Sequence, residues 1–139
     1  MEIAETLKRV LERIHSAAAK AGRNAEDIKL IAVTKTVALS GIIEAINAGV
    51  TIVGENRVQE AQKKIAELRA QNTDIKIKWH LIGNLQKNKA KYAVQLFDLI
   101  HAIDSIPLAD EVNKQSEKMG KKQRVLVEVK LSDEPAKHG

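Results

Sequence analysis

The chain has no cysteine, which excludes a disulfide framework and any thiolate metal site. Aromatic residues are nearly missing. Trp79, Tyr92 and Phe97 are the full set, whereas single-strand nucleic-acid binders stack bases on several rings. Long apolar runs are missing too: the longest, Ile28–Val33, falls far short of the ~20 residues that span a membrane. Residues 1–6 carry charge where a signal peptide has its apolar segment, so a cytoplasmic protein with no membrane partner is expected. No glycine-rich phosphate loop, G-x-S-x-G elbow or dinucleotide fingerprint occurs. The four histidines, His15, His80, His101 and His138, show no close pairing along the chain, and no metal site is expected.

What is present reads as one globular domain over residues 1–139. Hydrophobic residues make up 44% and charged residues 29%, the balance of a chain with a buried core. The net charge is +5, from 23 Lys+Arg against 18 Asp+Glu. A basic excess can mark nucleic-acid binding, but the lysines are spread out apart from the cluster Lys87, Lys89 and Lys91. Solvated helix faces explain them better, and nucleic acid is not an expected partner.

Ile3, Leu7, Val10, Leu11, Ile14 and Ala18 fall on one face of a helix over residues 2–21, with Gly22 as its stop. A β-rich run, Ile28–Thr34, follows. Then come a helix over Ile42–Ala48, a strand Thr51–Gly54, and a helix carrying Val58, Ala61, Ile65 and Leu68. The third strand is Ile75–Gly83, with a helical segment Leu85–Leu96 behind it. Leu99–Ile103, a helix from Pro107 to Met119 and a fifth strand Val125–Leu131 complete the pattern. Alternating strands and helices imply parallel strands with right-handed crossovers. The step of roughly 22–26 residues is that of a compact (β/α) TIM-type barrel. Five strands do not close such a barrel of eight, so this one is incomplete or the sheet is open.

Barrel strands alternate between the interior and the helix layer. Ile77, Trp79 and Leu81 belong outward, which leaves Lys78, His80 and Ile82 inward; in strand five Leu126, Glu128 and Lys130 are inward. The first strand is ambiguous by pattern. If Lys35 is inward, it converges with Asn56, His80, Glu128 and Lys130. Lys35 and Asn56 also follow the C-terminal ends of their strands, where barrel sites lie. Partial burial there would favour the free amine that attacks an aldehyde. A lysine at a strand end is ordinarily a snorkelling surface residue.

Five words shift that balance: AVTKT at 32–36, GENRVQE at 54–60, WHLIGNLQKNK at 79–89, IHAIDS at 100–105 and VLVEVKLSDE at 125–134. In order and over nearly the whole chain, they resemble the pyridoxal phosphate homeostasis protein family (bacterial YggS and its relatives). The resemblance implies the N-terminal barrel of the alanine racemase type, here about five of eight strands. It implies pyridoxal 5'-phosphate held as a Schiff base on Lys35, with Asn56 beside the cofactor and His80 near it. It also implies a role in vitamin B6 and amino-acid homeostasis without catalytic turnover.

Two departures stand out. Lys130 occupies a position that is usually asparagine in the family, and the family's chains continue past this length. Their phosphate-cradling segments lie in that further part, so weak cofactor retention is expected. Unpaired strand edges predict self-association. The rival readings are a racemase or decarboxylase on the same fold, which needs a second acid/base, and a basic interaction module resting on Lys87–Lys91.

Overall fold

The computed structural model describes residues 2–71 and 75–139. Helix α1 (Glu2–Lys20) turns its apolar stripe inward, so that Ala18 is buried while Ile3 and Leu7 pack against the core. It ends at Gly22 with φ +68°. There the Arg23 amide donates to the Ala18 carbonyl and the Gly22 amide to that of Ala19, the paired bonds of a Schellman stop. Helices α2 (Leu39–Asn47) and α5 (Ile106–Lys118) end the same way at Gly49 and Gly120.

The remaining elements are β1 (Ala32–Val33), β2 (Ile52–Glu55), α3 (Val58–Gln71), β3 (Lys78–Leu81), α4 (Ala90–Leu96), β4 (Leu99–Ile103) and β5 (Arg124–Val127). All neighbouring strands pair in parallel, in the order β1-β2-β3-β4-β5. Sequential order with a helix after each of the first four strands is the arrangement of a (β/α) barrel carried through five strands.

The core lies between sheet and helices. Val53, Trp79, Leu81 and Ile100 from the strands meet Ala61, Ile65 and Leu68 of α3, Ala93 and Val94 of α4, and Leu108 and Val112 of α5. The outward assignment of Trp79 and Leu81 therefore holds. On the other face of the sheet Val33 and Leu126 are about half exposed. Gly54 there lies against Ile31 and Ile82, and a β-carbon on it would come within 2.8 Å of the Ile31 side chain.

Several boundaries differ from the sequence reading. The run expected as a first strand, Ile28–Thr34, is a strand only over Ala32–Val33; a 3₁₀ turn at Ala25–Asp27, capped by Asn24, precedes it. Strand β1 has a neighbour on one side only, and its ladder extends only where Val53 and Gly54 face it. The same reason shortens β5. Its partner β4 ends at Ile103, opposite Val127, so the expected continuation to Leu131 finds no strand to pair with among the described residues. The third strand begins at Lys78 rather than Ile75, and the segment expected to be helical from Leu85 opens with a 3₁₀ turn at Lys87–Lys89.

Candidate functional site

Strand β1 runs into a turn that carries Lys35. Thr34 continues the ladder, its amide donating to the Gly54 carbonyl at 3.0 Å. Its hydroxyl donates to Glu55 Oε2 at 2.9 Å, so Thr34 occupies the helix-facing position and is buried. Strand alternation then assigns Lys35 to the same side as Val33. Thr36 adopts φ +61°, a left-handed conformation that a β-branched residue rarely takes, and the chain turns away towards α2.

Beneath this turn is an ionic cluster. Lys64 Nζ, on α3, lies 2.6 Å from Glu55 Oε1 and 2.6 Å from Glu60 Oε2, and donates to the Thr34 carbonyl at 2.5 Å. Glu60 Oε2 also accepts the Thr36 amide at 2.7 Å. The Glu55 side chain is wholly buried. Burial alone would lower the Lys64 pKa, but hydrogen bonds to Glu55 and Glu60 outweigh it and the net shift is upward. Glu60 is held below the usual carboxylate range by the Lys64 hydrogen bond and then by the Thr36 amide. Lys35 itself is exposed rather than partly buried.

Asn56 directly follows β2 and lines a cleft of about 610 Å³ with Arg57, Gln59, Ile82, Asn84 and Lys89 among its walls. Among the described residues no carboxylate lines it. The backbones of Asn56 and Gly83 are in close contact across the β2 and β3 ends: a β-carbon on Gly83 would lie 2.8 Å from Asn56 Cα.

His80, on β3, is buried on the face opposite Trp79 and Leu81, in register with Gly54. Two of the histidines, far apart along the chain, meet here. His80 Nδ1 and His101 Nε2 are 3.1 Å apart, because the β3–β4 register sets His80 opposite Leu99 and brings His101 to the same face. Burial lowers the pKa of both, and the neighbouring His101 lowers that of His80 further. Among the described residues no group of three His, Cys, Asp or Glu is placed to hold a metal ion.

Lys35 follows β1, Asn56 lies in the cleft after β2, and His80 faces His101 between β3 and β4. Glu128 and Lys130 line a separate cleft beside Ile103 and Ser105, at the β5 edge. Sequence reasoning missed the Thr34, Glu55, Glu60 and Lys64 cluster. One signal was available: Glu60 and Lys64 are four residues apart on a helix, and Lys64 falls among the buried positions Ala61, Ile65 and Leu68.

The pyridoxal phosphate homeostasis protein of Aquifex aeolicus is 44% identical over 139 residues, covering 100% of this chain and 59% of that protein. A crystal structure of a protein of unknown function from Bifidobacterium adolescentis superposes with TM-score 0.90 at 38% identity, over 99% of this chain and 58% of that one. PipY of Synechococcus elongatus, solved with pyridoxal phosphate bound, gives TM-score 0.74 at 38% identity, over 86% of this chain and 55% of its own. The chain therefore spans a little under three fifths of the length of these relatives. Over residues 6–139 it matches the family described as alanine racemase, N-terminal domain, and it belongs to that family.

Proposed function

We propose that this chain binds pyridoxal 5'-phosphate for vitamin B6 and amino-acid homeostasis, with Lys35 forming a Schiff base to the cofactor. The observation that carries the reading is a primary amine exposed on a tethered turn at the end of β1, one strand away from a cleft lined by Asn56, Arg57 and Lys89. A bound cofactor would supply an aldehyde, and a lysine amine in its unprotonated form is the group that condenses with it. A cleft of about 610 Å³ is in the ordinary range for small-ligand sites, and Arg57 and Lys89 give it the charge that suits an anionic ligand. Asn56 offers an amide at the cleft wall, while His80 presents a neutral imidazole on the same side of the sheet. PipY, which is similar over most of this chain, was solved with pyridoxal phosphate bound.

The same reading makes the protein a cytoplasmic domain whose partner is a small molecule, not nucleic acid or membrane, and whose exposed sheet edge self-associates. It assigns no turnover. A racemase needs a second acid/base opposite the lysine, and no hydrogen bond or ion pair links Lys35 to such a group among the described residues.

Borohydride trapping after incubation with pyridoxal phosphate, followed by peptide mapping, tests the reading. Label at Lys35, lost in Lys35→Ala, is expected, and L-alanine should keep its optical activity under the same conditions. Label confined to other lysines overturns it.

A further inference from the structure

We propose that Glu60 and Lys64 are positioning residues for Lys35: they fix the backbone on both sides of it and so set where its amine points. The inference rests on the Schiff-base reading for its purpose, but its geometry stands independently.

The backbone groups flanking Lys35 are the Thr34 carbonyl and the Thr36 amide. The first accepts from Lys64 Nζ and the second donates to Glu60 Oε2. Those two side chains are bound to each other at 2.6 Å, so one α3 pair holds the turn before and after the lysine. Lys64 Nζ donates to the Thr34 carbonyl and to Glu60 Oε2, and it is ion-paired with the buried Glu55 Oε1 at 2.6 Å. Glu55 in turn receives the Thr34 hydroxyl. Every bond in the cluster therefore ends on the turn or on a residue that braces it.

Two costs argue that this arrangement serves geometry rather than stability. A buried ion pair is commonly no better for stability than apolar packing of the same volume. Thr36 at φ +61° is in a conformation that persists only where its surroundings over-determine it. Both costs fall within a residue of Lys35 or directly beneath it, and Lys35 is the exposed group that the cluster leaves unbonded among the described residues.

The experiment compares the unmodified protein with Glu60→Ala and Glu60→Gln, since glutamine keeps an acceptor for the Thr36 amide. Glu60 is at the surface end of the cluster, so the core stays intact; circular dichroism checks this. The first readout, made without cofactor, is hydrogen exchange of the Thr36 amide by NMR. Glu60→Ala should speed it at least tenfold, with Glu60→Gln close to the unmodified protein. The second is the share of borohydride-trapped pyridoxal phosphate found at Lys35, which should fall about tenfold in Glu60→Ala and be largely rescued in Glu60→Gln. Unchanged Thr36 exchange overturns the inference, and so does faster exchange with unchanged labelling at Lys35. If the unmodified protein takes no label at Lys35, the Schiff-base reading falls, while the exchange arm still decides whether Glu60 holds the turn.

Discussion

At the scale of single residues, Gly83 is the position where one added methyl matters most to the cleft. A β-carbon there meets the Asn56 backbone, 2.8 Å from its Cα, and backbone cannot rotate away. Overpacking of this kind costs about 1–3 kcal/mol. At Gly54 the same addition meets side-chain rather than backbone atoms, the Ile31 Cγ2 and Ile82 Cδ1 methyls at 2.8 and 3.2 Å. Urea unfolding should therefore rank Gly83→Ala as the more destabilised, with Asn56 resonances displaced; the reverse order would contradict the close approach. The histidine pair sets a pH dependence. Both folded-state pKa values lie below the ordinary 6.5, so below that pH the unfolded chain takes up protons that the folded chain refuses. Stability then falls as pH falls from about 7 towards 5, and the fall should be shallower in His101→Gln. Thermal melts across that range would show it. Lys35 and Asn56 were legible as strand-end residues because the order of elements alone puts them there. The His80–His101 contact was not, since it depends on a register between strands about 20 residues apart, which a single chain of letters does not state.

At the scale of elements, α3 was read from its apolar spacing, and Val58, Ala61, Ile65 and Leu68 are all buried. Its fifth buried residue, Lys64, was not read, because a lysine among apolar positions looks like a solvated neighbour until Glu55 appears beneath it. The glycine stop after α1 was legible for a local reason: the left-handed residue that ends a helix is chosen by its own backbone. The ends of β1 and β5 were not, because an edge strand stops where its single neighbour stops. Replacing the α3 lysine tests the weight of the cluster. Lys64→Met removes the counter-charge from a wholly buried Glu55, and stranding a buried charge costs about 3–5 kcal/mol. The double variant Lys64→Met with Glu55→Gln should recover part of that loss. Chemical denaturation of the two proteins measures it, and equal stability of the single variant and the unmodified protein would remove the cluster's structural role. The sign of the linkage also follows. The raised Lys64 contributes stability that is lost as pH rises through its folded value, above 10.5. The lowered Glu60 contributes stability that is lost as pH falls below about 4.5.

At the scale of the whole molecule, the sheet presents apolar surface on one side and along one edge. Val33 is half exposed, and Val127, Val129 and Leu131 are 71%, 65% and 93% exposed. Such residues in series beside an unpaired strand offer both backbone donors and acceptors and a surface that favours leaving water. The polypeptide of residues 1–139 should therefore self-associate through the β5 edge, its net charge of +5 slowing the process rather than preventing it. Added salt screens that charge and should increase the associated fraction. Natural edges are blunted by charge, lysine above all, so Val127→Lys with Val129→Lys should shift the population towards single chains while leaving the helix-side core, to which neither residue belongs, unaltered. Light scattering coupled to size exclusion, at low and high salt, reads the mass directly, and near-ultraviolet circular dichroism of the buried Trp79 reports whether the core stays rigid. A monodisperse single chain at both salt concentrations, with a rigid tryptophan signal, would show that the exposed edge does not drive association.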